Sequence, residues 1–199
     1  MRKIIVSLHT SFDGVMSGAP PDGKVQVDMG PQSYHMDRTT PGVMDSWEDV
    51  LKIFNEVDTI LLGRTTYEGL RQFWPTQTDA FGERMNKIPK IVFAHSGLKE
   101  VSWGDWDTIS LINKDVENRV IELKQAPGKD MVIFASSKLV QSFTNSNLID
   151  EYRITVHPII LGAGKYLFEN IKKRHPLKLL DTKQYPSGTM FFRYEVSRA

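Results

Sequence analysis

The feature that most limits how this chain can fold is a repeated switch between two hydrophobic rhythms. Short apolar runs rich in β-branched residues occupy residues 3–10, 59–62, 90–94, 108–112, 131–135 and 151–156. They have strand length. Between them the apolar residues recur at helical spacing: Trp47, Val50, Leu51 and Phe54, then Val116, Val120 and Leu123, then Leu139, Val140 and Phe143. Strands that alternate with amphipathic helices must run mainly parallel, with helices covering both faces of the sheet. Residues 177–185 and 189–197 flank Pro186-Ser187-Gly188, which predicts a closing antiparallel hairpin. The expected fold is therefore α/β, with a mixed, mainly parallel sheet in one domain over residues 1–199.

Local signals refine this. Ser46 with Asp49, and Thr65 with Glu68, have capping-box spacing and predict two helix starts. Residues 80–86 predict a short third helix. Residues 11–41 are rich in Gly, Pro, Asp, Ser and Thr, too long for a simple connection, and read either as a binding or lid segment or as a disordered insertion.

Lysine plus arginine number 25 against 24 acidic residues, a net charge of +1. That balance argues against nucleic acid as a partner, since Lys172-Lys173-Arg174 is too short to form a basic stripe. The absence of cysteine excludes disulfides and thiolate metal sites, and His9, His35, His95, His157 and His175 lack ligand-like spacing, so no metal is expected. Met1-Arg2-Lys3 and Ile4-Ile5-Val6 begin like a signal peptide, but Ser7, His9, Thr10 and Ser11 interrupt the run. No window approaches the ~18 apolar residues of a membrane helix. A soluble, cytoplasmic protein is expected.

In sheets of this kind ligands bind beyond the carboxyl ends of the strands, where helix N-termini offer free N–H groups to phosphates. Three such turns occur: Gly63-Arg64-Thr65-Thr66, His95-Ser96-Gly97 and Ser136-Ser137-Lys138. Gly63 permits close approach, Arg64 suits a bidentate phosphate contact and Thr65 offers a hydroxyl; an ordinary capped helix with a surface arginine fits the spacing equally well. Leu161-Gly162-Ala163-Gly164-Lys165 is a fourth Gly-rich element, either a cofactor approach or a plain turn. The dinucleotide and P-loop fingerprints and the Gly-x-Ser-x-Gly elbow are absent.

Taken in order, several segments resemble the C-terminal reductase domain of the bacterial riboflavin-biosynthesis deaminase–reductase, a dihydrofolate-reductase-like family, in its stand-alone branch. They are Ser11-Phe12-Asp13-Gly14, Ile60-Leu61-Leu62-Gly63-Arg64-Thr65-Thr66-Tyr67-Glu68, Pro89-Lys90-Ile91-Val92 and Leu148-Ile149-Asp150-Glu151-Tyr152-Arg153. The most specific is His157-Pro158-Ile159-Ile160-Leu161-Gly162-Ala163-Gly164-Lys165-Tyr166-Leu167-Phe168. The resemblance implies a three-layer α/β/α sandwich with eight to nine strands, NADPH as hydride donor, and a homodimer. It implies that Arg64, Thr65 and Ser96 contact cofactor phosphates and that Leu161, Gly162 and Gly164 line the nicotinamide side. Gly63, Thr66, Ala135, Ser136, Ser137 and Lys138 complete the expected cofactor set. Where the family commonly has Gly-Gly or Gly-Ser, this chain has Ala135-Ser136, which would be strained in a glycine-only geometry.

Reduction of a carbonyl or imine also needs a proton source. Asp13, at the end of the first strand, and Asp45, at the start of the first helix, are the candidates, with Glu48 beside them; as turn-shaper and helix-dipole partners they have ordinary roles too. Trp47, Tyr67 and Trp74 are candidate stacking surfaces for a flat substrate, with core packing the ordinary alternative for Trp47. His157, beside Pro158, is expected to be a hydrogen-bonded structural histidine. The expected activity is reduction of a small heterocyclic or sugar-linked substrate, resembling 5-amino-6-(5-phosphoribosylamino)uracil reductase. The alternatives are an NADP(H)-binding sensor without turnover and a dimeric structural protein using the aromatic strand around Met190, Phe191, Phe192 and Tyr194.

Overall fold

The structure, a computed structural model, describes residues 1–17, 43–94 and 97–198, with the backbone alone for residues 43–47. Along the chain run β1 (Ile4–Ser11), β2 (Val15–Ser17), α1 (Val43–Glu56), β3 (Val57–Gly63), α2 (Arg64–Leu70) and a single 3-10 turn (Trp74–Thr76). There follow α3 (Ala80–Lys87), β4 (Lys90–Phe93), β5 (Ile109–Ile112), α4 (Val116–Gln125), β6 (Asp130–Phe134) and α5 (Ser137–Asn145). The chain ends with β7 (Glu151–His157), β8 (Lys165–Tyr166), β9 (Leu177–Gln184) and β10 (Met190–Val196).

Eight strands form one sheet in the order β5-β4-β3-β6-β1-β7-β10-β9. The first six are parallel; β10 runs antiparallel to β7, and β9 to β10. β2 and β8 pair separately as a small ribbon that the hydrophobic pattern did not announce, because neither carries a periodic run.

Alternation along the strands builds two cores. Ile4, Val6 and Leu8 of β1, with Met131 and Ile133 of β6, meet Val140 and Phe143 of α5 and Val120 of α4. On the opposite face Ile5, Ile60, Leu62, Val92 and Val132 meet Val50, Ile53 and Phe54 of α1, together with Tyr67 and Met85. Each fully buried Leu, Ile or Phe contributes roughly 1.5–3 kcal/mol, so these stripes decide which side of each helix faces inward.

Local chemistry sets the ends. The Asp79 carboxylate accepts from the N–H groups of Phe81 and Gly82 and so caps α3, while Ile88, extended before Pro89, stops it. Two expected capping boxes are corrected. α1 already begins at Val43, which places Ser46 inside the helix, and α2 begins at Arg64 with Gly63 at its N-cap and no side-chain cap. Glu68 instead pairs with Arg64. At the end, the Gly188 N–H donates to the Tyr185 carbonyl at 2.9 Å, closing the predicted hairpin turn at φ +81°.

Candidate functional site

Parallel strands finish together, so the carboxyl ends of β1, β3, β4, β6 and β7 form one rim. The Ser136 hydroxyl accepts from the Gly63 N–H at 2.9 Å and donates to the Phe134 carbonyl at 3.2 Å, which ties the turn after β6 to the end of β3. A β-carbon on Gly97, where φ is +76°, would lie 2.8 Å from Arg64 Nη1. Glycine there lets the guanidinium lie close against the backbone of residue 97. The turns after β3 and β6 therefore meet at Arg64 and the start of α5, with Gly97 against the Arg64 guanidinium. Arg64 stays accessible, and its Nε donates to Glu68 Oε1 at 2.7 Å. Thr65 is exposed and Thr66 half-buried in the first turn of α2.

Ala135 and Ser136 both adopt left-handed backbone, with φ of +53° and +61°. The strain expected of non-glycine residues there is present. A left-handed residue followed by a helix turns successive N–H groups into one concavity, and the first turn of α5 carries Ser137, half-buried, and Lys138, exposed. The Ser136 side chain is committed to Gly63, which leaves its backbone N–H as the group suited to a ligand. Unpaired amides at a helix N-terminus, a guanidinium and an ammonium make a donor set for an oxyanion such as a phosphate.

Beside this cradle Asp13 organises the rim. Its carboxylate accepts from the Ser11 hydroxyl at 2.5 Å, from the Gly162 N–H at 2.8 Å and from the Leu161 N–H at 3.2 Å. Desolvation pushes this carboxyl up, but the bonds from Ser11, Gly162 and Leu161 outweigh it and hold the group below the usual carboxylate range. Held as an acceptor by these three donors, Asp13 ties the loop after β7 to the turn after β1. Gly164 has a packing role of its own. At φ +133°, its β-carbon would fall 2.6 Å from the Ser17 carbonyl oxygen and from Val15 Cγ1, so its bareness serves the β2–β8 ribbon. Gly162 is exposed, at φ +72°, with open space where a side chain would be. Leu161 beside it is half-buried.

Two residues on the α1 side of the sheet were missed as a pair. His9 Nδ1 lies 2.9 Å from His157 Nε2, with the ring centroids 5.2 Å apart. Strand register brings them together, because His9 is opposite Thr155 and Ser11 opposite His157. Burial, and then the neighbouring His157, push the His9 imidazole down to about 3. Ser7 and Thr155, both buried, continue this polar strip toward the middle of the sheet. Below it Glu151 accepts from Arg153 at 2.6 Å and from Arg193 at 2.7 Å, and Arg153 also reaches Glu56 of α1. Asp49 of α1 accepts from Lys183 at 2.6 Å and from Tyr185 at 2.7 Å, which pins that helix to the hairpin. Burial raises the Asp49 carboxyl, but bonds from Lys183, Lys52 and Tyr185 prevail and hold it at about 2.

Tyr67 is fully buried, its hydroxyl accepting from the Ser102 N–H and from Arg71, both at 3.0 Å. It belongs to the core beneath α2 and is corrected as a substrate-stacking residue. Trp74, half-buried, packs against Phe73 and Phe81 at centroid distances of 5.1 and 5.0 Å, in the cluster that includes Phe54. The backbones of Asp45 and Trp47 lie in the first turns of α1, but their side chains lie outside the described residues, as do His95, Ser96 and residues 18–42.

A sheet of this order, sandwiched by helices and ending in an antiparallel hairpin, defines a dihydrofolate-reductase-like α/β protein. The RibD C-terminal domain model matches residues 2–191, and the chain belongs to that family. It is similar to the uncharacterized protein YyaP of Bacillus subtilis strain 168, with 31% identity over 97% of this chain and 94% of the relative. Among solved structures it superposes on a Shewanella sp. PV-4 protein named for riboflavin biosynthesis, with a TM-score of 0.75 and 23% identity over the whole of both chains. It also superposes on dihydrofolate reductase from Enterococcus faecalis, a structure complexed with NADP(H), with a TM-score of 0.61 and 13% identity over 98% of this chain and 97% of that one. No helix among the described residues is long and apolar enough to cross a membrane.

Proposed function

We propose that the chain is an NADPH-dependent reductase of a small heterocyclic or sugar-linked substrate, of the type of 5-amino-6-(5-phosphoribosylamino)uracil reductase. One observation carries this reading: the turns after β3 and β6, with Gly97 against Arg64, frame a single oxyanion cradle beside the polar strip of His9, His157, Ser7 and Thr155. Membership of the RibD C-terminal domain family and a fold shared with an NADP(H)-bound reductase support it.

In this reading Arg64, Lys138 and the N–H groups of residues 136–138 hold the dinucleotide phosphates, and the exposed Gly162 leaves room at the edge of the rim. The reduced nicotinamide ring supplies a hydride when bound; the protein orients it, excludes water and accounts for a proton. Ala135, left-handed without being glycine, is the residue that marks the alternative of a cofactor-binding protein without turnover. Equilibrium binding of NADPH tests the first step, and cofactor oxidation across a panel of pyrimidines and pterins separates a reductase from a sensor.

The chain as a homodimer is part of the same proposal. β9 is exposed along its whole length, and Leu177 and Leu179 stand beside Val196 and Tyr194 of β10 on one apolar face. Sedimentation of the purified chain reads that state directly.

A further inference from the structure

We propose that the His9–His157 pair is the proton relay that serves the reduced end of the substrate. This rests on the reductase reading and deepens it, because neither aspartate candidate supplies a described proton donor: Asp13 is held as an acceptor by Ser11, Leu161 and Gly162, and the side chain of Asp45 is outside the described residues.

Geometry carries the assignment. Two imidazoles 2.9 Å apart share one hydrogen bond, so one ring donates while the other accepts. Uptake of a proton at the outer nitrogen of one ring, transfer of the shared proton and release from the outer nitrogen of the other together switch both tautomers and pass one net proton from one side of the pair to the other. The pair sits at the carboxyl ends of β1 and β7, two residues from the Asp13-bound rim on β1 and immediately before the loop that carries Leu161 and Gly162. Hydride delivery from a reduced nicotinamide to a carbonyl or imine carbon leaves an electron pair on the heteroatom. One proton completes the product, the nicotinamide is left oxidised, and the relay is recharged by one proton from water. Burial and the neighbouring His157 push the His9 imidazole well down, so His9 serves the pair as a neutral ring.

Several charged groups on this sheet face and on α1 are committed, while Glu48 of α1 is exposed to solvent and the side chain of Asp45 lies outside the described residues. Arg153, Arg193 and Glu56 are in ion pairs around Glu151, Asp49 is bonded to Lys183, Lys52 and Tyr185, and Asp13 is held by the rim. Of these residue types and the two rings, only histidine ordinarily titrates between pH 5 and 8.

The test compares NADP⁺ with NADPH. The oxidised ring is positively charged and the reduced ring is neutral, so a proton on an adjacent histidine pair repels only the oxidised form. In the wild-type chain, NADP⁺ affinity relative to NADPH should rise with pH between 5 and 8, by up to about tenfold per unit for one coupled proton. His157→Gln should flatten that ratio while NADPH affinity at pH 8 stays within about threefold, since one ring is then lost from the relay but not from the phosphate cradle. A histidine pair with only a structural role would leave the ratio flat. A wild-type ratio that is constant across this range, with both forms bound, overturns the relay and leaves the dinucleotide reading standing. The relay is equally overturned if the slope persists unchanged in His9→Gln and His157→Gln. Failure of either form to bind removes the dinucleotide reading and the relay together. The wild-type measurement decides the matter even where a variant does not fold.

Discussion

Ser136 on the turn after β6 accepts a hydrogen bond from the Gly63 N–H at 2.9 Å, and this one contact fixes the distance between the two turns that frame the cradle. Ser136 holds its position in a left-handed conformation that an L-residue adopts at a cost of roughly 1–2 kcal/mol.

Ser136→Ala should therefore lower unfolding stability by about 1–2 kcal/mol, because the Gly63 N–H loses its acceptor in a part-buried place. Ala135→Gly should leave stability unchanged or raise it by up to about 1 kcal/mol, as relief of left-handed strain offsets the entropy of glycine. Urea unfolding of the two variants checks the pair, and a stabilised Ser136→Ala would contradict the role given to that hydroxyl.

Gly162 and Gly164, only two residues apart, should respond differently to alanine. At Gly164 the new methyl would meet the Ser17 carbonyl oxygen and Val15 Cγ1 at 2.6 Å, so about 1–3 kcal/mol of overpacking adds to the backbone strain. At Gly162 nothing lies within 4 Å, and only the left-handed cost of roughly 1–2 kcal/mol remains. Thermal melting should place Gly164→Ala clearly below Gly162→Ala.

Lys90 gives the fold a pH dependence of definite sign. Its Nζ donates to the Ile88 carbonyl at 2.7 Å and to the Asn86 carbonyl and the Thr108 hydroxyl, both at 3.2 Å, and sits 4.7 Å from the Trp103 ring centroid. Burial pushes this ammonium down to about 7. The unfolded chain keeps its lysine proton up to about pH 10. Between these values the unfolded state binds more protons, so stability should rise with pH from about 7 toward 10, by at most ~1.4 kcal/mol per unit. Below about 7 the penalty is constant. Lys90→Met should remove the rise, and a wild-type stability that falls over this interval would contradict the burial of the charge.

The order of strands and helices was legible because period-2 and period-3.6 patterns alternate cleanly, and the hairpin was legible from Pro186-Ser187-Gly188. The site was legible only in part. Turns rich in Gly, Arg and Ser mark strand ends, so Gly63, Arg64 and Ser136 could be placed on one rim from sequence. That Asp13 meets Gly162 and Tyr67 meets Ser102 depends on contacts across more than 30 residues, and no local pattern encodes them. His9 and His157 are separated by 148 positions and meet only through the β1–β7 register. Two histidines at the ends of strands expected to be parallel were the available signal. Capping-box spacing misled at Thr65 because the strand runs directly into α2 through Gly63, and the Glu68 carboxylate is drawn to Arg64.

NADPH binding, followed by melting temperature and by calorimetric titration of the wild-type chain and Arg64→Ala, addresses the cradle most directly. Millimolar NADPH should raise the wild-type melting temperature, with about 2.7 kcal/mol of stabilisation once the ligand reaches a hundredfold excess over Kd. Arg64→Ala should weaken binding at least about tenfold, while the ligand-free melting temperature changes little, because the Arg64–Glu68 pair is solvent-exposed. A wild-type melting curve unmoved by millimolar NADPH, or equal affinity in the variant, would contradict the convergence of these turns on a dinucleotide.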